Sequence, residues 1–340
     1  MKIFYAVQAT GNGHISRAIE LLPHLEKYGT VDIFLSGANS SLLLDAPVKY
    51  RSAGLSLYYN CTGGLNYWKM MKGYQPFRIR NEIDQLPVER YDLVLNDFDH
   101  ITAAACAKKR ISSIQFGHQA SFQSTHTPRP AETSTVGEWL LKNYARATHY
   151  LGLHFEKYDE FIFQPVVKKE ILEALPKDKN HVTVYLPSYC EPQLEQIFHT
   201  LKDFCFQIFS KECRNAKRSD NIQFLPVDKT LFNQSLINCS GIITGGGFET
   251  PAEAIHLGKK MICVPIRGQY EQLCNAAALG KLGILCLRNI DSDFTSVFHG
   301  WMEEKNTVSI DYSKTVPEIL TRLFALHEKI NADAAEVISD

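Results

Sequence analysis

Apolar runs rich in β-branched and aromatic residues alternate with longer helical patterns along most of the chain. The first half contains KIFYAV, VDIFL, YDLVL, SSIQF and THYLGL, and the second half contains HVTVYL, CFQIF, IQFL, GIIT, MICVPI and GILCL. Near-continuous apolar runs are typical of parallel strands that crossover helices cover on both faces. The pattern predicts an α/β protein with two doubly wound, Rossmann-like domains facing each other across a cleft.

The segment FQPVVKKEILEALPKDKN, residues 163–180, separates the two sets of runs. It is charged and has prolines near both ends, a composition that suits a domain linker. We therefore predict an N-terminal domain over residues 1–163 and a C-terminal domain that begins at residue 164.

Composition narrows the class of protein. The chain has 340 residues, of which 45% are hydrophobic and 21% charged, enough for two separate cores. A net charge of −1 argues against a general nucleic-acid binder. Nine cysteines, an odd number without a C-x-x-C pair, indicate reduced thiols. The sequence shows neither a secretory signal region nor an apolar membrane span, so we expect a cytoplasmic protein.

A first glycine loop, TGNGHISRA at residues 10–18, follows the run KIFYAV. A strand, a glycine turn and a helix in this order can hold a phosphate. The dinucleotide fingerprint needs a third glycine where Ser16 stands, and an acidic residue after the second strand, where Ser36 and Gly37 stand. The sequence therefore lacks both specific supports for NAD binding.

A second glycine turn lies in GIITGGGFETPAEAIHLG, with Gly245, Gly246 and Gly247 between a strand and a helix. Thr250, Pro251 and Glu253 match an N-cap, a first-turn proline and the glutamate of a capping box. Bare glycines let an anion approach the free N–H groups at the start of the helix, so a phosphate-bearing ligand is predicted. The alternative is that the glycines only turn the chain and Glu253 only caps the helix.

The next loop and helix carry further polar candidates. Arg267 lies in the loop, and Gln272 and Asn275 are three residues apart on one helix face. An amide pair can bind sugar hydroxyls through donors and acceptors alike. Polar amides on a solvated helix face are the alternative interpretation.

Together these residues resemble a known family. The stretch GGGFETPAEAIHLGKKMICVPIRGQYEQLCNAAALGKLG, residues 245–283, looks like the donor-nucleotide region of GT-B glycosyltransferases related to the N-acetylglucosaminyltransferase that forms lipid II. The resemblance implies that Gly245–Gly247 face a diphosphate, that Glu253 binds the ribose, and that Gln272 and Asn275 contact the donor sugar, with Arg267 as a further donor-binding candidate. It also implies that residues 316–340 form a helix packing back on the N-terminal domain, which leaves 164–315 as the donor domain.

The N-terminal half resembles an uncharacterised bacterial and archaeal branch of the same family. That branch has an Asp-Phe pair after one strand and a His-Gln pair after the next, matched here by NDFDHITAAACAKKRISSIQFGHQ. The chain departs from the lipid II enzyme because Asn12 stands in its first glycine loop and the His-Glu-Gln-Asn run is missing. The acceptor is therefore left open between a lipid-linked molecule, a polysaccharide and a small molecule.

In this family the first glycine loop, here Gly11, Asn12 and Gly13, lines the acceptor side of the cleft. His14 becomes the candidate general base, and we expect the dipole at its helix N-terminus to favour the neutral imidazole. Asp97 and His118 follow strand ends, where parallel sheets bind ligands, and are further catalytic candidates. The alternatives for His14 are that it caps the helix or donates a hydrogen bond to a phosphate, and the alternative for His118 is a purely local hydrogen bond.

Asp97 and Asp99 form an Asp-x-Asp spacing that other glycosyltransferases use to hold a divalent cation. Asp99 could equally cap the helix that starts near Ile101. We expect neither a metal nor another cofactor.

The stretch LNYWKMMKGYQPFRIR, residues 65–80, interleaves aromatic and basic residues. Such a segment can contact a membrane headgroup layer, which would place the protein at the inner face of the membrane. A half-buried helix with lysines on its wet face is the preferred alternative.

The resulting interpretation is a glycosyltransferase that moves a sugar from a nucleotide diphosphate donor, a UDP-sugar in the first place, to an acceptor by a single inverting displacement. A non-hydrolysing nucleotide-sugar 2-epimerase and a non-catalytic nucleotide-sugar sensor are the alternatives.

Overall fold

The computed structural model describes residues 1–9, 11–37, 46–54, 75–291, 293–305 and 307–339. Two seven-stranded sheets form the framework, with strand orders β3-β2-β1-β4-β5-β6-β7 and β10-β11-β9-β8-β12-β13-β14. The strands of the first sheet are β1 (Lys2–Gln8), β2 (Thr30–Ser36), β3 (Val48–Ser52), β4 (Leu93–Asp97), β5 (Ile114–Gly117), β6 (His149–Leu153) and β7 (Ile162–Phe163). Those of the second are β8 (Val182–Tyr185), β9 (Phe206–Ser210), β10 (Lys217–Ser219), β11 (Ile222–Pro226), β12 (Gly241–Thr244), β13 (Lys260–Cys263) and β14 (Leu285–Cys286).

Helices connect the strands. They are α1 (Asn12–Leu25), α2 (Pro76–Gln85), α3 (His100–Lys109), α4 (Thr135–Asn143), α5 (Lys169–Leu172), α6 (Glu191–Phe198), α7 (Lys229–Asn238), α8 (Glu249–His256), α9 (Tyr270–Lys281), α10 (Phe294–Glu303) and α11 (Thr315–Ser339), with 3-10 turns at Val88–Arg90 and His118–Gln123. None of the helices in the described ranges is long and apolar enough to cross a membrane.

Strand pairing is parallel throughout the first sheet. In the second sheet the edge pair β10–β11 is antiparallel. This confirms the two doubly wound α/β units predicted from the apolar runs. Strand order reverses between β1 and β4 in one sheet and between β8 and β12 in the other, and ligands of such sheets bind in the crevice at the reversal point.

The predicted linker is more structured than its composition suggests. Residue Phe163 belongs to β7, and the short helix α5 lies inside the segment. The sheets suit a division near residue 163, which we retain as a proposal.

The two halves share apolar packing. One buried cluster contains Ile15 and Ala18 of α1 together with Ala252 and Ile255 of α8. The long helix α11 contributes Leu323 to the same cluster.

The C-terminal helix α11 also contacts the first half. Phe324 stacks on Tyr28 with ring centroids 3.7 Å apart, and Lys157 Nζ lies 2.6 Å from Glu318 Oε2. The chain therefore crosses from the first half to the second and then returns.

Candidate functional site

The reversal point of the first sheet brings His14 and Asp97 together. His14 is in the first turn of α1, and Asp97 ends the neighbouring strand β4. His14 Nδ1 lies 2.9 Å from Asp97 Oδ1, and the side chains are 12% and 0% exposed. His14 Nδ1 also lies 3.1 Å from Arg17 Nη2, which can only donate. In the tautomer that donates from Nδ1 to Asp97, which only accepts, Nε2 is the nitrogen that can take a proton from a substrate.

The expected preference of His14 for the neutral form is wrong. Burial lowers the pKa of His14, but the charge of Asp97 and the hydrogen bond to it outweigh burial, so the pKa lies above its ordinary value. The carboxylate at hydrogen-bond distance favours the charged ring, whereas the helix dipole, worth about 0.3–1 kcal/mol at exposed sites, favours the neutral one. The pair therefore makes His14 a stronger base.

Arg17 is a site residue that the sequence pattern did not reveal. It lies one turn after His14, is 2% exposed, and donates to Asp97 from Nε at 3.1 Å and from Nη2 at 2.9 Å. Its Nη1 donates to Glu249 Oε1 in the second half at 2.8 Å. A sequence signal was present, since positions three apart share a helix face. Gly117 makes room for this cluster, because a Cβ there would lie 2.5 Å from Asp97 Oδ1.

The turn after β4 separates the roles of its two aspartates. Phe98 has a φ of 60°, in the left-handed region that bulky residues avoid, and packs on Tyr144 with ring centroids 5.0 Å apart. Asp99 then accepts from Thr102 N at 2.6 Å and caps α3, as the alternative interpretation predicted. The described residues contain no group of three acidic, histidine or cysteine side chains that could hold a metal.

The second glycine turn follows β12 at the reversal point of its sheet and is braced by α9. Gln272 Oε1 accepts from Gly246 N at 3.1 Å and from Ile266 N at 2.9 Å. Asn275 Nδ2 donates to Gly246 O at 3.0 Å. Asn275 is fully buried, so the interpretation of a solvated amide face is wrong for this residue. Arg267, in the loop before α9, is exposed.

The glycines of this turn differ in their surroundings, which permits a matched test. A Cβ on Gly246 would lie 2.7 Å from Gln272 O, whereas a Cβ on Gly247 would meet nothing within 4 Å. We expect Gly246→Ala to lower the free energy of unfolding by about 1–3 kcal/mol through overpacking, and Gly247→Ala to stay within about 0.5 kcal/mol of wild type. Urea denaturation measures both. Equal losses in the two variants would contradict the packing of Gly246.

The predicted capping box is wrong. The helix α8 begins at Glu249 behind Phe248, without a side-chain cap, so Thr250 lies inside its first turn. Glu253 is 3% exposed and its Oε1 lies 2.9 Å from Lys168 Nζ. Burial raises the pKa of Glu253 despite this cation. Its Oε2 is buried and has no hydrogen-bond partner among the described residues.

Direct contacts join the two halves across the cleft. His118 Nδ1 lies 2.9 Å from Leu153 O, and Nε2 lies 2.8 Å from Asn275 Oδ1. Its ring stacks on Phe248 at 3.9 Å. Burial lowers the pKa of His118 to about 3, so the ring is neutral near pH 7. A neutral ring donates from one nitrogen only, so one of these two oxygen contacts at a time is a hydrogen bond. The contacts with Asn275 and Phe248 place the His118 ring between the halves.

A second contact involves Glu271, which the sequence analysis left without a role. Gln119 Nε2 donates to its two carboxylate oxygens at 3.2 Å each. Glu271 is the residue before Gln272 and lies at the first turn of α9. Gln119, the second residue of the His-Gln pair noted in the sequence, therefore contacts the second half from the N-terminal side of the cleft.

The first glycine loop lies at the start of α1. Gly11 is the N-cap of the helix, Asn12 is its first residue, and a Cβ on Gly13 would overlap the Glu249 carboxylate. The loop therefore lies against Glu249, the first residue of α8 in the second half.

The proposed membrane-contact segment lies largely outside the described residues. Of residues 65–80, the structure describes 75–80, where α2 begins with Pro76 and leaves Phe77 89% exposed.

Comparison with protein families decides the class of the molecule. Residues 1–299 match the family model of glycosyl transferase family 1. The chain belongs to this family. It is therefore a glycosyltransferase, and the predicted enzyme class is confirmed. No curated protein matches the sequence.

Solved structures identify the fold of this family 1 glycosyltransferase. UGT89C1 of Arabidopsis thaliana, solved with UDP, has 14% identity and a TM-score of 0.60 over 96% of this chain and 93% of that one. The spinosyn forosaminyltransferase SpnP has 12% identity and a TM-score of 0.57 over 100% of both chains. MurG of Acinetobacter baumannii has 14% identity and a TM-score of 0.52 over 89% of this chain and 90% of that one. The predicted GT-B fold is confirmed, and MurG is among the structures that share it.

Proposed function

We propose that this enzyme transfers a sugar from a nucleotide diphosphate donor, a UDP-sugar in the first place, to an acceptor hydroxyl with inversion at the anomeric carbon. The observation that carries the proposal is the buried His14–Asp97 pair, 2.9 Å apart, at the reversal point of the first sheet. The Gly245–Gly247 turn at the reversal point of the second sheet supplies the opposite wall. The bound UDP of UGT89C1 is consistent with this donor class.

In the proposed reaction, His14 Nε2 accepts the proton of the acceptor hydroxyl while the hydroxyl oxygen attacks the anomeric carbon. The bond from that carbon to the diphosphate oxygen breaks, and the bonding pair leaves with the diphosphate. Asp97 stabilises the imidazolium that forms. The N–H groups at the start of α8 face the charge that develops on the leaving group.

The donor-side assignments are part of the same proposal. Glu253 Oε2, buried without a partner among the described residues, is an acceptor that a ribose hydroxyl could satisfy. Gln272 uses its carbonyl oxygen to hold the glycine turn, so its amide N–H groups are the part we assign to the donor sugar. Asn275 would contact the donor only after exchanging its bonds to Gly246 and His118.

A binding panel tests the donor class. We expect UDP, among UDP, dTDP, GDP, ADP and CDP, to raise the unfolding temperature of the whole protein most. A ligand at ~100 times its Kd adds about 2.7 kcal/mol to the free energy of unfolding. A protein that none of the five stabilises would contradict the proposal.

The outcome of the reaction is then measured by NMR. The enzyme is incubated with a sugar donor of the nucleotide class that binds and with mixtures of acceptors. Transfer with an inverted anomeric signal supports the proposal. A released, isomerised sugar in the absence of acceptor would identify an epimerase instead, and a donor that stays intact with every acceptor would identify a sensor.

A further inference from the structure

Glu249 places a carboxylate in the part of the cleft where the diphosphate of the proposed donor would bind. It is the first residue of α8, directly after the turn Gly245–Gly247. Its side chain, 24% exposed, reaches across the cleft to the first turn of α1 at Gly13. The carboxylate therefore lies between the two helix starts that line the cleft.

Arg17 is what holds the carboxylate there. The guanidinium is 2% exposed, and its Nε and Nη2 are committed to Asp97. Nη1 points the other way and donates to Glu249 Oε1 at 2.8 Å. If Glu249 moves away, Nη1 of this buried guanidinium loses its acceptor, which is costly unless another acceptor replaces it, and an anion does so most favourably.

We propose that Arg17 Nη1 binds the donor diphosphate and that Glu249 is a placeholder that the diphosphate displaces. This rests on the proposed function for the identity of the anion. Exchange keeps the buried cation paired at every stage, because one anion leaves as the other arrives. It also adds a cation from the N-terminal half to the leaving group, beside the base that Arg17 helps to position through Asp97.

The distinguishing consequence is that removing a carboxylate tightens binding. In Glu249→Gln the neutral amide competes less well for Arg17, so we expect UDP and inorganic pyrophosphate to bind the full-length protein about tenfold more tightly, as hydrogen bonds to charged groups are stronger than neutral ones. Titration calorimetry at fixed ionic strength measures both ligands. A residue that merely binds the donor sugar or closes the cleft would give unchanged or weaker affinity.

Four further variants separate the effect of Arg17 from general effects on the protein. Glu318→Gln, the same change in the exposed pair with Lys157, should leave both affinities unchanged. Arg17→Lys keeps the charge and should lose less than tenfold, whereas Arg17→Met should lose more than tenfold. Adding Arg17→Met to Glu249→Gln should abolish the gain. If Arg17→Met does not fold, Glu249→Gln and Arg17→Lys decide the question.

Measuring UDP and inorganic pyrophosphate separately distinguishes a failure of the anion exchange from a failure of the proposed donor class. Tighter pyrophosphate binding by Glu249→Gln, with no nucleoside diphosphate bound by any variant, would support the exchange and overturn the donor class. Binding of UDP with no gain for either anion in Glu249→Gln would overturn the exchange and leave the donor class standing.

Discussion

Replacing His14 with alanine is expected to lower kcat for sugar transfer about 10²–10⁴-fold and to leave the Kd of the donor nearly unchanged. General base catalysis contributes rate enhancement of this size, and the base touches the acceptor, not the nucleotide. Release of nucleoside diphosphate under saturating donor measures kcat, and calorimetry measures Kd. His24→Ala, a half-buried histidine in the last turn of the same helix α1, is the matched control.

The pH profile gives an independent check of the same base. Since Asp97 holds the pKa of His14 above 6.5, kcat/KM should rise with pH through an apparent pKa above that value, because only the deprotonated ring accepts a proton. In Asp97→Asn this limb should move to lower pH. A donor affinity that collapses in His14→Ala while kcat persists would instead make His14 a phosphate ligand.

Replacing Asp97 with asparagine is expected to lower the free energy of unfolding by about 3–5 kcal/mol, because it leaves the buried Arg17 guanidinium without its main counter-charge. Urea denaturation at pH 7 measures the loss. Asp84→Asn, which breaks the exposed pair with Lys108, should leave the midpoint unchanged. A second change, Arg17→Met, should recover part of the loss. Equal effects of Asp97→Asn and Asp84→Asn would contradict the buried ion pair.

The stabilising effect of Asp97 should depend on pH with a definite sign. Burial raises the pKa of Asp97, but Arg17 and His14 together lower it by more than burial raises it. The folded-state pKa therefore lies below the ordinary 3.8. The stabilisation is therefore fully present above about pH 4 and is lost as pH falls through the lower folded-state value. The stability difference between wild type and Asp97→Asn should shrink over that acidic range.

The sequence predicted those strands that are marked by their own apolar composition. Buried central strands are predominantly apolar, and all the apolar runs used for prediction became strands. Within the part of the chain that the structure describes, the sequence analysis missed three strands, β3, β7 and β10, which are sheet edges and are short or polar. Edge strands need fewer apolar residues, so a strand at the edge can form without a continuous apolar run, although GILCL did mark the edge strand β14.

The candidate site was predicted less completely than the strands. Whether a charged side chain is buried and paired depends on elements that lie far away in the sequence. His14 and Asp97 were marked by position after strands, but the ion pair that fixes Arg17 joins α1 to β4 and then to Glu249 in the other half. The capping signature at Thr250 failed for a related reason. Phe248 packs on His118 across the cleft, and that contact accompanies a helix start two residues earlier than the local pattern predicted.

The return of α11 to the first half has a mechanical consequence. The chain passes between the halves in the segment after β7 and comes back through α11, where Phe324 stacks on Tyr28. Two tethers hold the facing surfaces at a high effective concentration, so cross-cleft contacts that would be too weak to join separate molecules can still hold the halves together.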